Sequence, residues 1–104
     1  MTMVGVSYWS RRDGVDRAEL GQAAFDLCKT LRAADSIDDS RFYWTGPDTV
    51  VLQVTAADPD PILRPPSADA ARLLFALADL ACRDRFEQWI DPRSGMSQYE
   101  MAGR

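Results

Sequence analysis

Arg41-Phe42-Tyr43-Trp44-Thr45-Gly46-Pro47-Asp48-Thr49-Val50-Val51-Leu52-Gln53-Val54-Thr55 is the stretch on which the fold turns. Two β-rich runs, 41–45 and 49–55, flank the turn residues Gly46-Pro47-Asp48, and this reads as a β-hairpin. With Thr45 opposite Thr49, Trp44 faces Val50, Tyr43 faces Val51, Phe42 faces Leu52 and Arg41 faces Gln53. Phe42, Trp44, Val50, Leu52 and Val54 then share one side, the apolar one, which is expected to point at a helical layer. The other side carries Arg41, Tyr43, Val51, Gln53 and Thr55.

Upstream, Met3 to Trp9 alternates and reads as a first strand, with Val4, Val6 and Tyr8 assigned to the core side and Gly5, Ser7 and Trp9 to the opposite side. A helix follows. Asp16 is its N-cap, Glu19 completes a capping box, and Val15 with Leu20 forms a hydrophobic staple. Leu20, Ala24, Leu27, Cys28 and Leu31 recur at helical spacing, and the helix is expected to end near Ala34. Asp35 to Ser40 reads as an acidic turn. Asp58 to Pro66, with Pro59, Pro61, Pro65 and Pro66, reads as an extended surface linker. Ser67 caps a second helix, with Asp69 in its first turn. Its apolar face runs through Ala70, Leu73, Leu74, Leu77, Ala78 and Ala81, widened by Phe75, Cys82, Phe86, Trp89 and Ile90. Pro92 ends this helix at about Ile90, and Met96 to Met101 supplies a short last strand.

The order strand, helix, strand, strand, helix, strand predicts an α+β, ferredoxin-like βαββαβ fold: a four-stranded antiparallel sheet with two helices on one face, as a single domain over 1–104. At 104 residues the chain is long enough for one core. Its 12 basic and 16 acidic residues give a formal net charge of −4, which argues against nucleic acid or an anionic membrane as partner. No apolar run is long enough to span a bilayer. The sequence has no histidine, which excludes Ser-His and Cys-His nucleophile pairs and the commonest metal ligand. Two cysteines without a visible leader suggest a reduced, cytoplasmic protein, and Cys28 and Cys82 read as core residues. No cofactor or metal is expected: Asp35, Asp38 and Asp39 lack the Gly and Glu of a calcium loop and read as a solvated turn.

Trp9, Arg41, Tyr43 and Gln53 fall together on the sheet side assigned to solvent. As a ligand site they offer aromatic walls, an anion partner in Arg41, and Tyr43 as proton donor or orienting group. As an interface they are the residue types that anchor protein contacts. Both readings stand, because a bare face carrying Trp9, Tyr43 and Val51 calls for a cover. The aromatic face also parallels RNA-recognition sheets, but the basic-aromatic signature of that module is missing. Arg11, Arg12 and Asp13 read as a solvated loop with an internal ion pair. Phe86, Trp89, Ile90 and Tyr99 read as core. The element order and length from Val4 to Met101 resemble the dimeric α+β barrel superfamily. That resemblance implies two sheets packed face to face with a pocket in each subunit. It also implies activities such as cofactor-free monooxygenation, haem degradation or isomerisation. The lack of histidine departs from the haem-ligating and His-Asp members. The expectation is a homodimer binding a small aromatic or anionic molecule on the sheet face, with cofactor-independent monooxygenase or isomerase activity. The other reading is a non-catalytic dimerisation or protein-interaction module.

Overall fold

The computed structural model describes residues 3–60 and 64–90. The order is β1 (Met3–Arg11), α1 (Arg17–Arg32), β2 (Ile37–Trp44), β3 (Thr49–Ala56), α2 (Ala68–Leu80) and β4 (Ala81–Ile90). The strands form one antiparallel sheet in the order β2-β3-β1-β4. The fold is the expected ferredoxin-like one, with both helices packed on one side of the sheet. The hairpin register is also as expected: Trp44 opposes Val50, Tyr43 Val51, Phe42 Leu52 and Arg41 Gln53. The Thr45 N–H donates to the Thr49 carbonyl at 2.9 Å. Val50, Leu52 and Val54 are buried with Leu20, Ala24, Leu27 and Leu31 of α1 and with Leu74 and Leu77 of α2. Among the described residues no helix is long and apolar enough to cross a membrane.

The faces of β1 are the reverse of the expectation. Trp9 pairs with Val50, Ser7 with Leu52 and Gly5 with Val54, and cross-strand partners share a face. Trp9, only 3% exposed, therefore lies in the core under the helices, while Val4, Val6 and Tyr8 point away from them. The physical reason lies in what covers the inner face beside the helices. The chain after β3 folds back over β1, where a Cβ on Gly5 would sit 2.3 Å from the Pro59 carbonyl oxygen. Small Gly5 and Ser7 leave room for this strap, and Trp9 fills the space beyond it. Val6 is buried on the outer side as well, so the alternation of this central strand does not reveal which face meets the helices. The stretch from Asp58 is thus not a surface linker throughout, since Pro59 and Asp60 are buried.

The second correction concerns α2. It ends at Leu80 rather than near Ile90, and Ala81 is already extended (φ −150°, ψ 154°). Phe86, Trp89 and Ile90 are spaced as a helix would want them, but the free edge of β1 needs a partner, and β4 pairs along it from Met3 to Arg11. A register shift between Tyr8 and Trp9 marks an irregularity in this ladder. The helix stop comes from elsewhere in the chain. The Arg12 N–H donates to the Leu80 carbonyl at 2.9 Å, and its guanidinium donates to the Ala78 carbonyl at 3.1 and 3.0 Å. A cation there satisfies carbonyls that the helix end leaves open. Arg12→Met is expected to cost about 1 kcal/mol in urea unfolding. A midpoint that does not move would remove this role. The expected strand at 96–101, with Tyr99, lies outside the described residues.

At the other helix, Asp16 caps α1 as read, its carboxylate accepting from the Ala18 N–H at 3.1 Å. The acidic turn is shorter than expected. Strand β2 begins at Ile37, and Ser40 is fully buried, its carbonyl accepting from Arg32 Nε at 3.2 Å.

Candidate functional site

Arg41, Tyr43 and Gln53 do share the open face, on neighbouring strands β2 and β3. Trp9 is not with them. Arg41 Nε donates to Asp39 at 2.7 Å, and Tyr43 and then Asp39 favour its charged form. The guanidinium is engaged by its own neighbours. Strand β4 adds a second cluster that the helical reading of 81–90 hid. Tyr8 OH and Trp89 Nε1 both donate to Glu87 Oε1, at 3.2 and 3.3 Å. Arg85 lies 3.4 Å from Glu87 Oε2, with its guanidinium 4.2 Å from the Tyr8 ring centroid. The period-two spacing of Arg85, Glu87 and Trp89 was the available signal. Val6 and Val51 are buried on this face, while Tyr43 and Trp89 are each 46% exposed. The face presents paired charges and half-exposed aromatic rings.

The side of the sheet under the helices holds a different feature. Trp9, Pro65, Ala71, Leu74, Phe75 and Ala78 line a cleft of about 140 Å³. Ala71, Leu74, Phe75 and Ala78 follow the i, i+3, i+4, i+7 spacing of one helical stripe, which is why α2 can offer a wall here. Small Ala71 and Ala78 make the hollow, and Phe75, 74% exposed, forms its lip. The indole of Trp9 is fixed by donating from Nε1 to Ser7 Oγ at 2.9 Å. Among the described residues no ionisable side chain lines the cleft. The sequence pattern contained Leu74, Phe75 and Ala78 but not Ala71, and only the reversed face of Trp9 turns this stripe into a site.

The other candidates resolve individually. Arg11 pairs with Asp48 rather than Asp13 and donates to the Val15 carbonyl at 2.6 Å. Asp39 is shared between Arg41 and Arg32. No group of three metal-ligating side chains is found among the described residues. Cys28 is buried as expected, and burial pushes its thiol pKa up against the opposing pull of Ser40 and Arg32. Cys82, in contrast, is exposed at the edge strand. Trp89 and Ile90 are exposed rather than core.

No family model matches the sequence, and no curated protein is similar to it by sequence. Solved structures are similar in fold. A mutant form of SnoaB, a cofactor-independent oxygenase from Streptomyces nogalater, superposes with a TM-score of 0.71 at 10% identity, covering 90% of this chain and 96% of that one. A candidate antibiotic biosynthesis monooxygenase from Chloroflexus aurantiacus J-10-fl gives 0.66 at 9% identity, covering 88% and 93%. A dimeric protein of unknown function with a ferredoxin-like fold from Bacteroides fragilis NCTC 9343 gives 0.63 at 10% identity, covering 86% and 96%. At these identities the likeness is one of architecture: the chain has a ferredoxin-like fold.

Proposed function

We propose that the chain is a homodimer that holds a small, uncharged aromatic molecule in the Trp9 cleft and acts on it as a cofactor-independent monooxygenase. The observation that carries this reading is the cleft itself, an open hollow lined among the described residues by apolar side chains, the Trp9 indole included. Its volume of about 140 Å³ is close to that of an engineered cavity of roughly 150 Å³ that takes up benzene. One ring fits inside, and anything larger extends past Phe75. The oxygenase part is supported by the fold neighbours, two of which are described as an oxygenase and a candidate monooxygenase. Without a cofactor, the electrons that reduce O2 come from the substrate, so an electron-rich ring is the fitting class. The protein's contribution is a dry, shaped place for it.

The homodimer is supported by the open face. Its charges are mostly engaged within the chain, so Tyr43 and Trp89 are what it offers, and aromatic rings of this kind anchor interfaces. The same engagement of Arg41 and Arg85 favours contact over anion capture, which moves the ligand from that face to the cleft. The test is titration of 1-naphthol followed by tryptophan fluorescence, with oxygen uptake recorded in parallel. The neutral naphthol is expected to bind, and 1-naphthoate at least about tenfold more weakly, because a carboxylate entering an apolar cleft loses hydration without a partner. Ala71→Trp should fill the hollow and abolish binding while leaving the particle size in light scattering unchanged. Equal affinity in Ala71→Trp would place the ligand elsewhere. Absent oxygen uptake across a series of electron-rich phenols would reduce the activity to binding.

A further inference from the structure

The ion pair between Asp60 and Arg83 is the most enclosed one among the described residues, with side chains 9% and 23% exposed. It is bidentate: Arg83 Nη1 donates to Oδ1 at 2.9 Å and Nη2 to Oδ2 at 3.1 Å. The guanidinium also lies 4.5 Å from the Phe86 ring centroid. Arg83 is the residue paired with Trp9 in the β1–β4 ladder. On the other side of the pair, the Asp60 carbonyl accepts from the Arg64 N–H at 3.3 Å, and the next residue, Pro65, is a wall of the cleft. Pro65 and Pro66 have no N–H and cannot anchor themselves by donating a backbone hydrogen bond. The wall takes its position from anchored residues on either side: Asp60 before it, and Ser67 after it, whose hydroxyl caps α2 by accepting from the Ala70 N–H at 3.0 Å.

We propose that Arg83 and Asp60 are positioning residues that hold the Pro65 wall against Trp9 and thereby set how long a ligand stays in the cleft. This rests on the reading of the cleft as the ligand site. A planar fork bonded through both oxygens fixes orientation as well as distance, which a single ammonium contact does not. The pair connects the floor of the cleft, through the strand beside Trp9, to its proline wall.

The experiment uses the full chain with Arg83→Gln, Arg83→Lys and Asp60→Asn. Arg32→Gln serves as reference, since it removes a guanidinium that binds the Ser40 carbonyl away from the cleft. Two readouts are taken: amide hydrogen exchange at Arg64, which needs no ligand, and stopped-flow rates with 1-naphthol. Arg83→Gln and Asp60→Asn should speed Arg64 exchange relative to helix amides, and should raise naphthol dissociation about tenfold with association little changed. Arg83→Lys should fall between them and the native chain. Arg32→Gln should leave the naphthol rates alone even where it lowers the melting temperature as much. Native dissociation rates in Arg83→Gln, or an equal rise in Arg32→Gln, would overturn the proposal. A native chain that takes up no 1-naphthol sinks the ligand reading. Arg64 exchange then decides the positioning by itself: faster in Arg83→Gln sustains it, and unchanged sinks it.

Discussion

Trp9→Ala should cost about 3–5 kcal/mol of folding stability, as truncating a large buried aromatic does. Trp9 is 3% exposed and sits in the cluster that joins β3 to both helices. Its removal takes away that packing and strands the Ser7 hydroxyl that accepted its indole N–H. At roughly 4–8 °C per kcal/mol for a domain of this size class, the melting temperature should fall by more than about 10 °C. Naphthol binding should be lost with the floor of the cleft. The contrast is with Tyr43→Ala and Trp89→Ala on the opposite face. There, truncation of half-exposed rings should change the stability of the isolated chain by less than about 1 kcal/mol and shift light scattering toward monomers. A Trp9→Ala protein that melts like the native one but scatters as a monomer would return Trp9 to the interface.

Gly5→Ala should destabilise the chain by about 1–3 kcal/mol, the range for forcing extra atoms into a filled site. The added Cβ would lie 2.3 Å from the Pro59 carbonyl oxygen and 2.9 Å from its carbon, and both are backbone atoms that cannot swing aside. The sign is what makes the experiment informative. Exchanging glycine for alanine inside a regular element normally stabilises by about 0.5–1 kcal/mol. Gly21 in α1 is the internal control: a Cβ there would meet Trp44 Cζ2 at 3.5 Å, an ordinary contact, so Gly21→Ala should follow the normal rule. Denaturant midpoints moving in opposite directions for the two variants would fix the strap over β1. A stabilised Gly5→Ala would mean that it does not lie there.

How far the sequence could be read depended on whether the deciding contacts were local. The hairpin register followed from the turn residues Gly46-Pro47-Asp48 and the adjoining β-rich runs, which lie within a few residues of one another. The cap at Asp16 and the cap at Ser67 were equally local. The face of β1 was not, because Val4, Val6 and Tyr8 look like a core set until the pairing with β3 and the closeness of Pro59 to Gly5 are known. The end of α2 was not local either. No glycine or proline separates Leu80 from Ala81, and the stop is provided by Arg12, far back in the chain. Those two misreadings account for the site. Three of its expected members, Arg41, Tyr43 and Gln53, share a face as foreseen. Trp9 joined a different set, and Tyr8, Arg85, Glu87 and Trp89 came to light only once 81–90 was a strand.

The junction at Leu80 and Ala81, where helix passes into strand without a connecting loop, leaves the polypeptide no spare residue to absorb a change of length. One amino acid inserted there must either turn the last helical residue by about 100° or transfer every side chain of β4 to the other surface of the sheet. Glu87 would lose Tyr8 and Arg83 would lose Asp60 in the same event. The seam is therefore a point that tolerates indels poorly, although nothing in its composition marks it.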